Sequence, residues 1–164
     1  MKSPVSTEQI NIGLTDKQLN GVVGILNRTL SDLHVLFVKT RNYHWNVVGV
    51  EFRDFHKLLE EQYELVGETI DEVAERVRQL GAPALGSMSD YLKHAQLKED
   101  TGTPPDAMTM IANLRDDHEA VIRQLRKDAD ACDEEYNDAG TNDFLVKLIQ
   151  DHEKIAWMLR SILE

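Results

Sequence analysis

The sequence predicts an all-α protein: a four-helix bundle with a short extra helix in the long crossover between helices two and three. Three observations predict it. Apolar residues recur at helical spacing over four long stretches. No stretch shows the two-residue alternation or hairpin turns of strands. Glycine and proline fall between the stretches so that the connections read short, long, short. A chain of 164 residues is one domain's length, with enough material for a real core.

Each element has its own local cause. Residues 1–13 read as a flexible tail, and 14–164 as the bundle. Thr15 and Gln18 form a capping box, after which Leu19, Val22, Val23, Leu26, Leu30, Leu33 and Phe37 mark the apolar face of a first helix. It runs to about Val47, with Gly49 at its end. The second helix covers about Phe52 to Leu80 and is stopped by Gly81-Ala82-Pro83. Residues 82–105 form the crossover, with a short helix near Ser89–Gln96. Pro104 and Pro105 precede a third long helix, Asp106 to Glu134. After a polar break, Thr141 is the expected N-cap of the last helix, Asn142 to Leu163. Four long helices with a single long crossover make the ferritin-like arrangement of a bundle.

Composition narrows the function classes. With 29 acidic and 18 basic residues the formal charge is −11, which repels nucleic acid and anionic membranes on average and attracts cations. The single cysteine, Cys132, excludes an intrachain disulfide. No uninterrupted apolar run of the roughly 18 residues of a membrane span is present, and residues 1–13 lack the apolar core of a signal peptide. The expectation is a cytoplasmic protein with no membrane association.

The chemistry-bearing residues lie on the first hairpin. His56 and Glu60 are one helical turn apart, as are Asp71 and Glu75, and all four fall within an arc of roughly 100° on one helix face. His56 and Asp71 are nonetheless roughly 22 Å apart along the axis, so one metal ion with bonds of about 2 Å cannot join them within a helix. An antiparallel helix from a second subunit would bring the 71/75 pair of one chain against the 56/60 pair of the other, giving two shared sites per dimer. Singly, each residue has a structural reading: a packed histidine beside Trp45, an i, i+4 surface pair, acids solvated near Arg76 and Arg78. The combination, with Gly67 on the same face where a helix must approach, favours a metal site. An intra-bundle site built on Glu-x-x-His is excluded, because none of the six histidines has Glu three residues before it. His34, His94 and His152 receive no role, and His118 among Asp116, Asp117 and Glu119 reads as an exposed helical cluster.

The stretch Asn42-Tyr43-His44-Trp45-Asn46, the twelve-residue step to His56, and the run Asp71 to Gly81 resemble the Dps family of miniferritins. The resemblance continues through Thr141-Asn142-Asp143 and Trp157-Met158-Leu159 and covers nearly the whole chain. It implies a hollow shell of twelve subunits with a ferroxidase centre at each two-fold interface. His44 and His56 would come from one subunit, Asp71 and Glu75 from its partner, and Glu60 would stand where the family often has aspartate. The longer side chain at 60 is expected to alter geometry or affinity at one iron position without abolishing activity. The family couples Fe(II) oxidation to two-electron reduction of hydrogen peroxide and stores an Fe(III) oxyhydroxide mineral. Carboxylates and imidazoles suit both iron oxidation states. Trp45, beside His44, is a candidate trap for stray one-electron oxidising equivalents.

Seven acids and no Lys or Arg lie between Asp128 and Asp143. The resemblance places this end at a three-fold pore, with Glu134, Asp138 and Asp143 as lining acids that draw in cations. Glu61 and Glu64 are candidate mineral-nucleating carboxylates. A basic tail of the kind that neutralises DNA phosphates is not seen: Lys2 and Glu8 cancel in residues 1–13, and Ser161 to Glu164 adds no base. Direct DNA binding is therefore expected to be weak or absent, though nucleoid association in the cell is compatible with the family. The competing readings are a DNA-compacting nucleoid protein with weak or lost iron chemistry, and a larger ferritin with a fifth helix.

Overall fold

The computed structural model describes residues 10–164. Most of the expected tail lies outside the described residues; its last part reaches the bundle, where Ile10 packs on Gly81. Five helices follow: α1 Asp16–Asn46, α2 Phe52–Gln79, α3 Met88–His94, α4 Ala107–Glu134 and α5 Ala139–Leu163. Among the described residues there is no strand.

The capping box at Thr15 forms in both directions: Thr15 Oγ1 accepts from the Gln18 amide, and the Thr15 amide donates to Gln18 Oε1 at 2.8 Å. Asp106 caps α4 in one direction, accepting from the Thr109 amide at 3.0 Å. At the last helix the expected cap is corrected. Asp138, not Thr141, is the N-cap of α5, and Thr141 is its third residue, donating its amide (3.0 Å) and hydroxyl (2.6 Å) to the Asp138 carboxylate. Asn137 in the left-handed region (φ 51°) ends the preceding path and frees Asp138 for this role. The helix therefore starts three residues earlier than expected.

Cross-helix pairs set the topology. Arg28 bonds Asp128, Lys39 bonds Asp117 at 2.6 Å, and Asn113 donates to the Tyr43 hydroxyl at 3.0 Å. Numbers rise along α1 as they fall along α4, so these helices are antiparallel. α2 is antiparallel to α1 through their short hairpin, so α2 and α4 point the same way. The crossover must then run back along the bundle, a distance of about 40 Å for helices of 28 residues. It is pinned on the way. The Asp32 carboxylate accepts from the Gln96 (2.6 Å) and Leu97 (2.8 Å) amides, the Tyr91 ring stacks on His34 at 3.6 Å, and Tyr43 donates to Asp100.

The interior is filled by Leu26, Leu30, Leu33 and Leu36 of α1, Leu59, Val66 and Val73 of α2, Leu114 and Leu125 of α4, and Leu145, Leu148 and Leu159 of α5. Each such side chain contributes roughly 1.5–3 kcal/mol by leaving water. One window of α1 matches a membrane span in length and mean hydropathy, even though polar residues interrupt it; 56% of that window is buried in the bundle, as expected for a core helix. Polar groups are buried too. Burial pushes the Asp117 carboxyl above its usual range, and Lys39 pulls it back. Lys39→Met, which leaves Asp117 without its cation, is expected to cost about 2–3 kcal/mol in urea unfolding, short of the ~3–5 for a fully buried pair. The double variant Lys39→Met/Asp117→Asn should recover most of that loss.

Candidate metal centre

The α1–α2 hairpin builds the first half of the site. Val47 ends α1, its amide bonded to the Tyr43 carbonyl at 2.8 Å, and Gly49 at φ 128° turns the chain back. This tight reversal sets His44 of α1 beside His56 of α2. The two rings stack with centroids 3.8 Å apart and planes 19° apart. Each Nδ1 reaches the other residue's backbone carbonyl: His44 Nδ1 to His56 O at 2.7 Å, His56 Nδ1 to His44 O at 2.8 Å.

A carbonyl oxygen only accepts, so both Nδ1 atoms carry the proton and donate. In the neutral rings both Nε2 atoms are then bare lone pairs held in fixed orientation, the tautomer a metal-ligating imidazole needs. The twelve-residue spacing in the sequence is the trace of this reciprocal pair across the hairpin.

The carboxylates lie along α2. Glu60 is half-buried one turn beyond His56, and Asp71 and Glu75 are exposed further along the same helix. Asp71 and Glu75 are exposed, as their solvated reading expects, and the arginines near them are bonded elsewhere. Arg76 is engaged by Asp138 (3.3 Å), Thr141 (3.1 Å) and Gln79 (3.1 Å), and Arg78 by the Ala82 carbonyl (3.1 Å). Among the described residues of one protomer, no three His, Cys, Asp or Glu side chains converge as metal ligands. The structure brings His44 and His56 together and leaves Asp71 and Glu75 apart from them. Two bare imidazole nitrogens and carboxylate oxygens are the mixed donor set that binds Fe(II) and tolerates Fe(III).

Gly67 has a different neighbour from the one expected. A Cβ there would stand 3.3 Å from the Phe37 ring of the same chain, so the close approach it permits is that of α1. Apolar side chains are left exposed around the histidine end of the hairpin: Trp45 (62%), Val48, Val50 and Phe52 (45%). Such a concentration is more than scattered surface hydrophobics require.

Two residues that the sequence reading passed over complete the surroundings. Tyr63 presents its ring edge-on to His44, centroids 5.2 Å apart. The Arg41 guanidinium lies 4.9 Å from the Trp45 ring centre and 5.4 Å from those of Phe37 and Tyr63. Phe37, Arg41 and Trp45 recur every four residues, a stripe that was visible in the sequence. The partner, Tyr63, lies on another helix and was not.

At the acidic end, the run from Asp128 to Asp143 is not one uniform surface. Glu134 and Asp143 are exposed, whereas Asp138 is buried as the α5 cap and bound to Arg76, so within the protomer its carboxylate has a structural role. Asp128 is buried against Arg28. Glu61 and Glu64 are exposed on α2. His118 is not the exposed residue expected. It is fully buried in the bundle, 2.8 Å from His152 through their Nδ1 atoms.

The sequence pattern of the ferritin-like domain matches residues 23–164. A low temperature-induced protein of Nostoc sp. is 53% identical over 156 residues, covering 95% of this chain and 87% of that protein. DNA protection during starvation protein 2 of Bacillus anthracis is 33% identical over 142 residues, covering 87% of this chain and 96% of its own. Among solved structures, a Dps protein from Vibrio cholerae O1, described as a member of a broad superfamily of ferritin-like diiron-carboxylate proteins, superposes with a TM-score of 0.89. It is 34% identical and covers 97% of this chain and 99% of that one.

Proposed function

The chain belongs to the Dps family of ferritin-like proteins, and on that premise we propose that it is a ferroxidase and iron-storage protein assembled as a twelve-subunit shell. The observation that carries the reading is the His44–His56 pair. It fixes two metal-ready nitrogens on a hairpin whose own Asp71 and Glu75 lie too far along α2 to reach them. A second copy, related by a two-fold axis, supplies Asp71 and Glu75. The apolar rim of Trp45, Val48 and Phe52 is the surface such a contact would bury.

In this reading Fe(II) is the substrate. His44 and His56 hold it through Nε2, while Glu60 and the partner's carboxylates balance its charge and accept the higher charge of Fe(III). Hydrogen peroxide is the preferred oxidant: two Fe(II) give one electron each, the O–O bond breaks, and two protons complete two waters. The Fe(III) then hydrolyses to mineral inside the shell, with Glu61 and Glu64 as candidate nucleating groups. Glu134 and Asp143 carry the pore reading better than Asp138. The protein acts in the cytoplasm and limits oxidative damage there.

Anaerobic Fe(II) oxidation with added peroxide tests this. Near two Fe(II) consumed per peroxide, with iron co-eluting with a particle of twelve 18.7 kDa chains, is the expected result. No acceleration over free iron would reject it in favour of a structural nucleoid role. Direct DNA binding is expected to be weak, since each chain contributes a charge of −11. Robust retardation of duplex by the iron-free shell at moderate salt would contradict that.

A further inference from the structure

We propose that Tyr63 is the built-in one-electron donor of this centre, and that Arg41 directs oxidation to it and away from Trp45. The proposal rests on the ferroxidase reading. It concerns the case that reading leaves dangerous, a centre holding one Fe(II) when peroxide arrives. One Fe(II) supplies one electron, and peroxide cut by a single electron yields hydroxyl radical.

The geometry selects the donor. Among the described residues, the rings that touch the histidine pair from outside are Tyr63, edge-on to His44, and Phe52, 5.1 Å from His56. Phenylalanine is not oxidised under these conditions, and Trp45 touches neither histidine ring. The fixed guanidinium of Arg41 adds a charge argument. Oxidising an indole first gives a radical cation, and a cation at 4.9 Å from the ring centre opposes that charge. Oxidising a phenol releases its proton and ends in a neutral radical, so the guanidinium at 5.4 Å costs little there. Tyr63 is half-buried, which lets that proton leave to water.

The step balances. Fe(II) becomes Fe(III) by giving one electron, and Tyr63 gives the second and becomes a neutral phenoxyl radical. The O–O bond of hydrogen peroxide breaks, and two protons, one of them from Tyr63, complete two waters. No hydroxyl radical is released.

The test is freeze-quench electron paramagnetic resonance after adding peroxide to the anaerobic shell at one Fe(II) per site, with iron oxidation at two Fe(II) per site measured in parallel. A tyrosyl signal is expected in the native protein, reduced at least ten-fold in Tyr63→Phe and retained in Trp45→Phe. In Arg41→Gln part of the signal should become tryptophanyl. A tyrosyl signal that survives Tyr63→Phe, or no signal in a native protein that oxidises two Fe(II) rapidly, overturns the assignment of Tyr63. A signal that stays wholly tyrosyl in Arg41→Gln overturns the role of Arg41. Absence of rapid oxidation at two Fe(II) per site would instead remove the ferroxidase reading, and this proposal with it.

Discussion

Shells built only from His44→Ala/His56→Ala chains, and shells built only from Asp71→Ala/Glu75→Ala chains, will each lose the fast phase of Fe(II) oxidation, yet shells co-assembled from equal amounts of the two will regain it in part. The reason is the distance along α2. If each site takes its histidines from one protomer and its carboxylates from the other, a mixed dimer holds one site with both sets removed and one with both intact. Random pairing makes half the dimers mixed, so about one quarter of all sites are restored at an isologous two-fold interface. A centre contained within one protomer predicts no recovery at any mixing ratio. The measurement is the stopped-flow amplitude of the fast phase against the fraction of each chain, with shell assembly checked by size exclusion. Recovery that is zero throughout, in mixed shells that assemble with the size of the native one, sinks the shared-site reading.

The fold was legible because its signals are local. The capping box at Thr15, the Gly81-Ala82-Pro83 stop and the Pro104-Pro105 start each act within a few residues, and α1, α2 and α4 begin and end close to where those signals stand. The error at α5 had a non-local origin. Asp138 and Thr141 are both good N-cap residues, and the choice between them is made by Arg76 on another helix, which fixes Asp138 in place. Sequence alone weighs the caps and not the distant guanidinium.

The site was legible in kind more than in arrangement. His44 and His56 could be named from their types and spacing, but their reciprocal bonds to each other's carbonyls depend on the hairpin closing at Gly49. Tyr63 was invisible as a neighbour of His44 because nineteen positions separate them and only the α1–α2 packing brings them together. His118 was misread because three acids flank it in sequence. Helical geometry sends Asp116 and Glu119 outward, to Arg115 and Arg160, and Asp117 sideways to Lys39 of α1, while position 118 points into the core.

That buried pair leads to the second large effect, a loss of stability in mild acid. His118 and His152 are almost without exposure, and their Nδ1 atoms are 2.8 Å apart. One must donate and the other accept, and burial without a counter-charge keeps both neutral. His118 Nε2 has no partner. The arrangement with the lower cost has His118 donate from Nδ1, leaving Nε2 a bare acceptor in preference to an orphaned N–H. Burial lowers the His152 imidazole to about 4, and burial with the neighbouring ring lowers His118 well below 6.5.

The sign follows from proton binding. Between the unfolded value of 6.5 and about 4, the unfolded chain takes up protons that the folded chain refuses. The stability is therefore complete above pH 6.5 and is lost as the pH falls through that window. For His152 alone the loss by pH 4 is on the order of 3 kcal/mol per protomer. Asp32 and Asp117 work against it, because burial raises their carboxyls and the folded state holds those protons more tightly than the unfolded one. A comparison with the variant His118→Leu/His152→Leu isolates this pair, since Asp32 and Asp117 are present in either protein. Urea unfolding at pH 7.5 and at pH 5 should show a large drop for the native chain and a much smaller one for the variant. Equal drops would mean that the pair does not set the acid limb, and that the interface or the carboxylates do.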